Sequence, residues 1–306
     1  MISELDNPGI YRKVLESLQT GIYLVDREQR ILFWNDGAER ITGHLRQDVL
    51  GRFCVQSLLA NYGGNDSFAS DAAEAITAVL RDGKPVAVNV SLCHKEGHRV
   101  LVRLRAVAIR NSHGTVIGAA ESFEESLSVS SWDRRQGKLA GFGCIDENTG
   151  VFNREYLLFQ LRESLDTFNQ YRIPFSVLCI GVDQIEKFQA AHGVRAVTAI
   201  QRAVAQTLGN SLRPTDFLGC LSERSFLAVL TECKGTEIDS VAKRLRRMVG
   251  YTEIIWWGDK LSVTPSFGGT ASMLGDTVES IVARAEAALN AGDPGVANRI
   301  NIILGG

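Results

Sequence analysis

Apolar and polar positions alternate along this chain in two different rhythms. Between residues 20 and 123 short strand-like runs dominate: Ile22 to Val25 and Ile31 to Trp34, parted by the polar stretch 26–30, then Val86–Cys93, Val100–Ile109 and Val116–Phe123. Their connections, 95–97 and 111–114, carry the Gly, Asn and Ser of tight turns, as antiparallel hairpins require. Ile10, Val14, Leu15 and Leu18 stand at helical spacing ahead of them. After the second run, Asn35 and Asp36 can cap a helix from Ala38 that Gly43 ends, and Asp71 to Leu80 predicts a longer helix stopped by Asp82 and Gly83. Two strands, small helices and three further strands predict one antiparallel sheet with helices on one face.

Past residue 146 helices and strands alternate. Tyr156, Phe159, Leu161, Leu165 and Phe168 mark an apolar helical stripe, and Phe175 to Asp183 is almost continuously apolar, as a buried central strand requires. A helix over 194–212 precedes two strands, Phe217–Leu221 and Phe226–Leu230, joined by the tight turn Ser222 to Ser225. A helix over 237–249, a strand Leu261–Thr270, a helix 277–289 and a strand 300–304 complete an α/β layer. Residues 124–145 are rich in Ser and Gly, and Leu127, Val129, Trp132, Leu139 and Phe142 keep no heptad period, so a coiled coil is not expected there. A short helix from about Ser131 to Leu139 is. The fold class is α+β, with domains over 1–126 and 146–306 and a linker over 127–145.

Lys and Arg number 33 against 35 Asp and Glu, for a net charge of −2. That balance gives no footprint for nucleic acid or an anionic membrane. No apolar run approaches the ~20 residues of a membrane helix, and the acidic start Met1 to Asp6 lacks the order of a signal peptide. A cytoplasmic protein is expected, without nucleic-acid or membrane partners. The six cysteines, at 54, 93, 144, 179, 220 and 233, form no C-x-x-C pair, and reduced structural thiols are expected.

The runs Leu24-Val25-Asp26, Ile31 to Asn35, Ala38 to Gly43, His94-Lys95-Glu96-Gly97-His98 and Ile117-Gly118 resemble a PAS sensor domain. The resemblance implies either a small ligand held between sheet and helices or a dimerising relay. It also implies a homodimer with Ile10, Val14 and Leu18 as its apolar seam. Gly51-Arg52-Phe53-Cys54 is similar to the Gly-x-Asn-Cys of flavin-binding light sensors, but Phe53 replaces the Asn. Leu92 and Val102 stand where flavin-binding asparagines belong, and aliphatic side chains cannot pair a buried flavin's polar atoms. His44, at a helix end, and His94 and His98, flanking a turn, are read as turn residues rather than haem or metal ligands. No required cofactor is assigned, and the PAS ligand stays open.

Asp146-Glu147-Asn148-Thr149-Gly150-Val151-Phe152-Asn153-Arg154 resembles the opening of the GGDEF family, the diguanylate cyclases, and the order of elements to residue 306 is similar. The resemblance implies a domain that binds GTP and, facing a second copy, joins two GTP into cyclic di-GMP with Mg²⁺ on carboxylates. The functional positions depart from that pattern. Gly181 stands at the first metal-binding Asp of the strand-end Asp-x-Asp, and Glu186 stands at a phosphate-binding Lys. Gln189 and Thr198 replace the guanine readers, and Gly292 and Val296 replace phosphate cations. The turn that gives the family its name is Ser222-Glu223-Arg224-Ser225-Phe226, with Arg224 at a carboxylate position. A fixed guanidinium repels a divalent cation, so the expectation is not an enzyme and no metal site or catalytic residue. Arg213-Pro214-Thr215-Asp216 keeps the spacing of the family's Arg-x-x-Asp site for cyclic di-GMP, with Arg244 as third member. A signal relay or cyclic di-GMP receptor is therefore expected, with an unidentified downstream protein partner. The alternatives are a nucleotide-free interaction or dimerisation module and a residual cyclase.

Overall fold

The computed structural model describes residues 8–54, 67–125, 143–291 and 296–304, and the chain divides into two compact units. In the first, helix α1 (Pro8–Ser17) leads into strands β1 (Gly21–Asp26) and β2 (Ile31–Trp34), then into helices α2 (Asp36–Thr42), α3 (Arg46–Val49) and α4 (Ser67–Asp82). Strands β3 (Val86–Cys93), β4 (Arg99–Arg110) and β5 (Val116–Glu125) close a five-stranded sheet of order β2-β1-β5-β4-β3. β1 pairs antiparallel with β2 and β5, and β5 antiparallel with β4. Period-two side-chain alternation sends Val102, Leu104, Ala106, Ala119 and Phe123 into the core, while Arg103, Arg105 and Glu124 face outward. Helix α4 opens at Ser67, before the expected Asp71; Ser, Phe and Ala are tolerated in a first helical turn, so composition did not mark the start.

Asn35 ties three elements at one point. Its Oδ1 accepts from Ala38 N at 2.8 Å, capping α2, and from Ile22 N at 2.8 Å. Its Nδ2 donates to Leu15 O and Thr20 O, both at 2.9 Å. The side chain is fully buried, and Gly43, at φ 70°, ends the helix in the left-handed conformation. Asn35→Ala strips these bonds and a fifth, from Nδ2 to Leu18 O at 3.3 Å, and leaves buried backbone groups unpaired; a loss of about 2–3 kcal/mol is expected in urea unfolding. A loss below ~0.5 kcal/mol would refute this role.

In the second unit α5 (Arg154–Tyr171) is followed by β6 (Phe175–Val182), α6 (Ile185–Ser211), β7 (Phe217–Ser222) and β8 (Ser225–Thr231). Then come a short 3₁₀ turn, α7 (Ile238–Gly250), the hairpin β9 (Glu253–Trp256) and β10 (Asp259–Ser262), β11 (Pro265–Ala271), α8 (Val278–Asn290) and β12 (Ile300–Ile303). The main sheet has the order β12-β11-β6-β8-β7, with β11 and β12 parallel and its other pairs antiparallel. β6 is central and buried nearly throughout, as its apolar run predicts. Leu178, Ile180 and Ala228 pack with Ile200, Val204 and Leu208 of α6 and Leu245 of α7. On the opposite face Val177, Cys179 and Val229 pack with Leu161 of α5 and Ile281 of α8.

Two expectations are corrected and one is extended here. Phe159 is 51% exposed, and the buried stripe of α5 is Leu157, Leu161 and Leu165. The helix expected from 194 is the second segment of α6; Gly193, at φ 81° and ψ 171°, breaks it from a first segment that opens at Ile185 and that the spacing did not predict. The strand expected over 261–270 belongs to two elements, with the β9–β10 hairpin ahead of Pro265. The linker helix expected over Ser131–Leu139 lies outside the described residues.

Candidate functional site

The opening motif of the second unit is built onto the hairpin. Phe152 N donates to Leu218 O at 3.2 Å and Cys220 N donates to Phe152 O at 2.8 Å, so the motif runs along β7. Gly219 permits this contact, since a Cβ there would lie 2.8 Å from Phe152 O and from Leu157 Cβ. Asn153 caps α5 through Tyr156 N at 3.0 Å, and Arg154 Nη1 donates to Leu221 O at 2.9 Å. A guanidinium thereby braces the strand that enters the turn.

Glu223 and Arg224 form the turn itself, and neither has positive φ. The turn therefore has no conformational need for the glycines that the resemblance would place there. Ser222 Oγ and Ser225 Oγ lie 2.7 Å apart across it, and Gln201 Nε2 of α6 donates to Glu223 O at 2.6 Å. Arg224 is ion-paired through Nη1 with Glu186 Oε1. The residue at a metal-carboxylate position thus holds the residue at a phosphate-lysine position.

Asp183, at the end of β6, spends its carboxylate on structure. Oδ1 accepts from Ser266 Oγ at 2.7 Å, and Oδ2 accepts from Thr264 Oγ1 at 2.9 Å and Asn298 N at 2.7 Å. It joins β6, the start of β11 and the segment before β12. This donor set does not fit Mg²⁺: Gly181 has no side chain, Glu186 is paired with a guanidinium, and Asp183 is saturated by hydroxyl and amide donors.

Two cavities flank the turn. One, of about 670 Å³, is lined by Ile185, Gln189, Thr198 and Gln201 together with Ser222 to Arg224. The two residues at guanine-reader positions are thus brought together as the resemblance implies. The other, of about 700 Å³, is lined by Gly181, Asp183, Glu186 and Arg224 together with Lys187 and Arg299. Motif comparison missed these two cations because neither stands at a compared position: Lys187 follows Glu186, and Arg299 lies three residues past Val296.

Arg213, Asp216 and Arg244 are also brought together. Asp216 is 4% exposed. Its Oδ2 accepts from Arg213 N at 2.9 Å and its Oδ1 from Thr231 N at 3.1 Å, so it caps the entry to the hairpin. Burial pushes the Asp216 carboxyl above the usual range, against those N–H donors and the charge of Arg213. The Arg244 guanidinium is pulled below its ordinary value, first by the protein packed around it and then by Arg213, while Asp216 acts the other way. Although its tip is exposed, Arg244 shares one electrostatic environment with the other two.

In the first unit, His44 O accepts from Trp34 Nε1 at 3.0 Å, and His94 Nδ1 accepts from Glu96 N at 3.1 Å, a turn role in each case. Burial lowers both imidazoles. Sequence reading missed Glu121. It is 1% exposed and lies among the Tyr23, Trp34 and Phe123 rings. Tyr23 Oη donates to its Oε2 at 2.5 Å, and among the described residues its Oε1 has no hydrogen-bond partner. The signal was available, since Ala119, Glu121 and Phe123 share the inward face of one strand.

Comparison with known proteins places these units. Residues 144–298 match the family model described as diguanylate cyclase, GGDEF domain, and residues 19–125 match a PAS domain model. The chain is 23% identical over 256 residues to the probable diguanylate cyclase DgcE of Escherichia coli, covering 84% of this chain and 22% of that protein. It is 26% identical over 183 residues to diguanylate cyclase A of Treponema denticola, covering 58% of this chain and 49% of that one. The chain therefore spans between about a fifth and a half of the length of these curated relatives. Among solved structures, diguanylate cyclase SiaD of Pseudomonas aeruginosa, in complex with its activator SiaC, superposes with a TM-score of 0.51 at 24% identity, over 56% of this chain and 68% of that one. The coiled coil and GGDEF domain of DgcB from Caulobacter crescentus, in complex with c-di-GMP, gives 0.51 at 18% identity, over 57% and 93%. Among the described residues no helix is long and apolar enough to cross a membrane. With the family match covering half of its length, preceded by a PAS domain, the chain belongs to the GGDEF family as a PAS–GGDEF signalling protein.

Proposed function

We propose that this protein relays a signal from its PAS half through a GGDEF half that binds cyclic di-GMP and does not make it. The Arg224–Glu186 ion pair carries the reading. Catalysis of this kind needs metal ions and cations stabilising charge on the transferring phosphoryl group. At this turn a cation occupies the metal position and is matched with a carboxylate. The receptor half of the reading rests on Arg213 and Arg244, with Arg213 close enough to help pull the Arg244 guanidinium below its ordinary value. An anion relieves such a pair, and guanidinium suits phosphate through two parallel hydrogen bonds. Asp216 serves mainly to set the backbone that presents Arg213.

Two measurements on the full chain test this. Incubation with GTP and Mg²⁺ or Mn²⁺, followed by chromatography, is expected to yield no cyclic di-GMP; clear product overturns the inactive reading. Calorimetric titration with cyclic di-GMP is expected to give micromolar binding that Arg213→Ala or Arg244→Ala weakens about tenfold or more. Absence of heat, or binding unchanged in Arg213→Ala, overturns the receptor reading and leaves an interaction module.

The exposed face of α1 supports a homodimer through the PAS half. Tyr11 is 55% exposed, Val14 52%, and Leu18, just past the helix, 40%. Val14→Asp is expected to convert a dimer to a monomer in sedimentation at tens of micromolar, and a wild-type monomer there removes this reading.

A further inference from the structure

Four cations crowd one stretch of α7: Lys243, Arg244, Arg246 and Arg247. They line a groove of about 700 Å³ that also takes in Tyr251 and Asn298. The groove shares no lining residue with either cavity at the hairpin turn, and among the described residues no carboxylate lines it. Lys243 pairs with Asp239 at 2.6 Å one helical turn away, an exposed contact that salt weakens. Lys243 and Arg247 stand at i,i+4, and Lys243–Arg246 and Arg244–Arg247 at i,i+3. Like charges so placed oppose one another on a helix. Arg246 Nη1 donates to Asn298 O at 3.3 Å, which fixes one cation against the groove wall.

A helix that concentrates like charge around a concave surface of small-ligand size is suited to a compact polyanion. Guanidiniums grip phosphate oxygens in pairs. We propose that this groove binds a polyphosphate chain, that of a nucleoside triphosphate or free tripolyphosphate, on Lys243, Arg246 and Arg247. Only Arg244 is common to this site and the cyclic di-GMP reading, and neither depends on the other.

The test is calorimetric titration of the full chain with ATP, AMP and inorganic tripolyphosphate at about 0.15 M salt, where exposed charges are largely screened. ATP and tripolyphosphate are expected to bind with micromolar affinity and AMP at least about tenfold more weakly. Arg246→Ala with Arg247→Ala is expected to weaken ATP about tenfold or more. Lys243→Ala with Arg247→Ala does the same without touching the Asn298 contact, should the first pair disturb folding. Asp239→Asn, which frees Lys243, is expected to tighten ATP a few-fold. No heat with ATP at millimolar concentration overturns the site, as does unchanged affinity in both double variants, or poly-glutamate displacing ATP at equal charge concentration. Retention of cyclic di-GMP binding in the double variants separates the outcome from that of the receptor reading, which Arg213→Ala addresses alone.

Discussion

Replacing Glu121 by glutamine is expected to make the PAS half more stable at pH 8 and to remove most of its dependence on pH between 4.5 and 8. Burial raises the Glu121 carboxyl from 4.5 to about 8, outweighing the hydrogen bond from Tyr23 that favours the charged form. The folded state therefore holds this proton through a range in which the unfolded chain has released it. Stability is fully present below pH 4.5, declines as pH rises toward 8 and is level above it, a fall of roughly 4–5 kcal/mol over the window. A glutamine cannot ionise. Its oxygen can accept from Tyr23 Oη as Oε2 does now, while its N–H groups take the unpartnered side of Oε1, at a cost of about 1–3 kcal/mol. Urea unfolding from pH 4.5 to 9 should give curves that cross, the variant about 1–3 kcal/mol weaker in acid and about 1–4 kcal/mol stronger at pH 8. Groups that do not interact with Glu121 contribute equally to both proteins and cancel in the difference; Tyr23, raised by burial and by Glu121, ionises above this range. Parallel curves would show that Glu121 is not the titrating group.

That carboxylate also marks the limit of what the sequence made legible. Strand and helix order in both halves followed from alternation and spacing, because buried faces impose a period on the residues that form them. The motif positions identified the hairpin turn and joined Gln189 and Thr198 in one cavity. What pattern could not supply was pairing. Arg224 reads as an isolated departure until Glu186 is found beside it, and the two are distant in sequence. Asp183 reads as a surviving acid until Thr264, Ser266 and Asn298 are found around it. Lys187 and Arg299 escaped for a simpler reason: position-by-position comparison asks what stands at a site, whereas charge needs only to reach it. The β9–β10 hairpin escaped because a two-stranded ribbon buries little and so imposes little pattern. Asp216 shows the converse, a motif residue whose carboxylate is mostly engaged in holding the hairpin entry.

Arg284→Ala is expected to destabilise the GGDEF half strongly, with a loss of about 3–5 kcal/mol. Arg284 meets Asp276 in a two-pronged pair, Nη1 to Oδ1 at 2.9 Å and Nη2 to Oδ2 at 2.7 Å. Its Nε donates to Thr270 Oγ1 at 2.7 Å and Nη2 also to Ala271 O at 3.1 Å. The side chains are 16% and 6% exposed. Burial alone would push the Asp276 carboxyl up, but Arg284, Met273 N and Ser280 together hold it below the usual 3.8. Its contribution is thus present above that value and lost as pH falls through the lowered one. Removing the guanidinium strands a buried carboxylate and two acceptors at the end of β11, whereas Arg284→Lys keeps the charge without the fork and should lose less. Urea unfolding at pH 7 decides the matter, and a loss under ~1 kcal/mol for Arg284→Ala would mean that solvent replaces the fork freely. The change should also reach the site. α8 carries Arg284 on β11 and, further along, lines the cavity beside Arg224 with Leu289 and Asn290. A helix released at one end cannot hold that wall in place at the other.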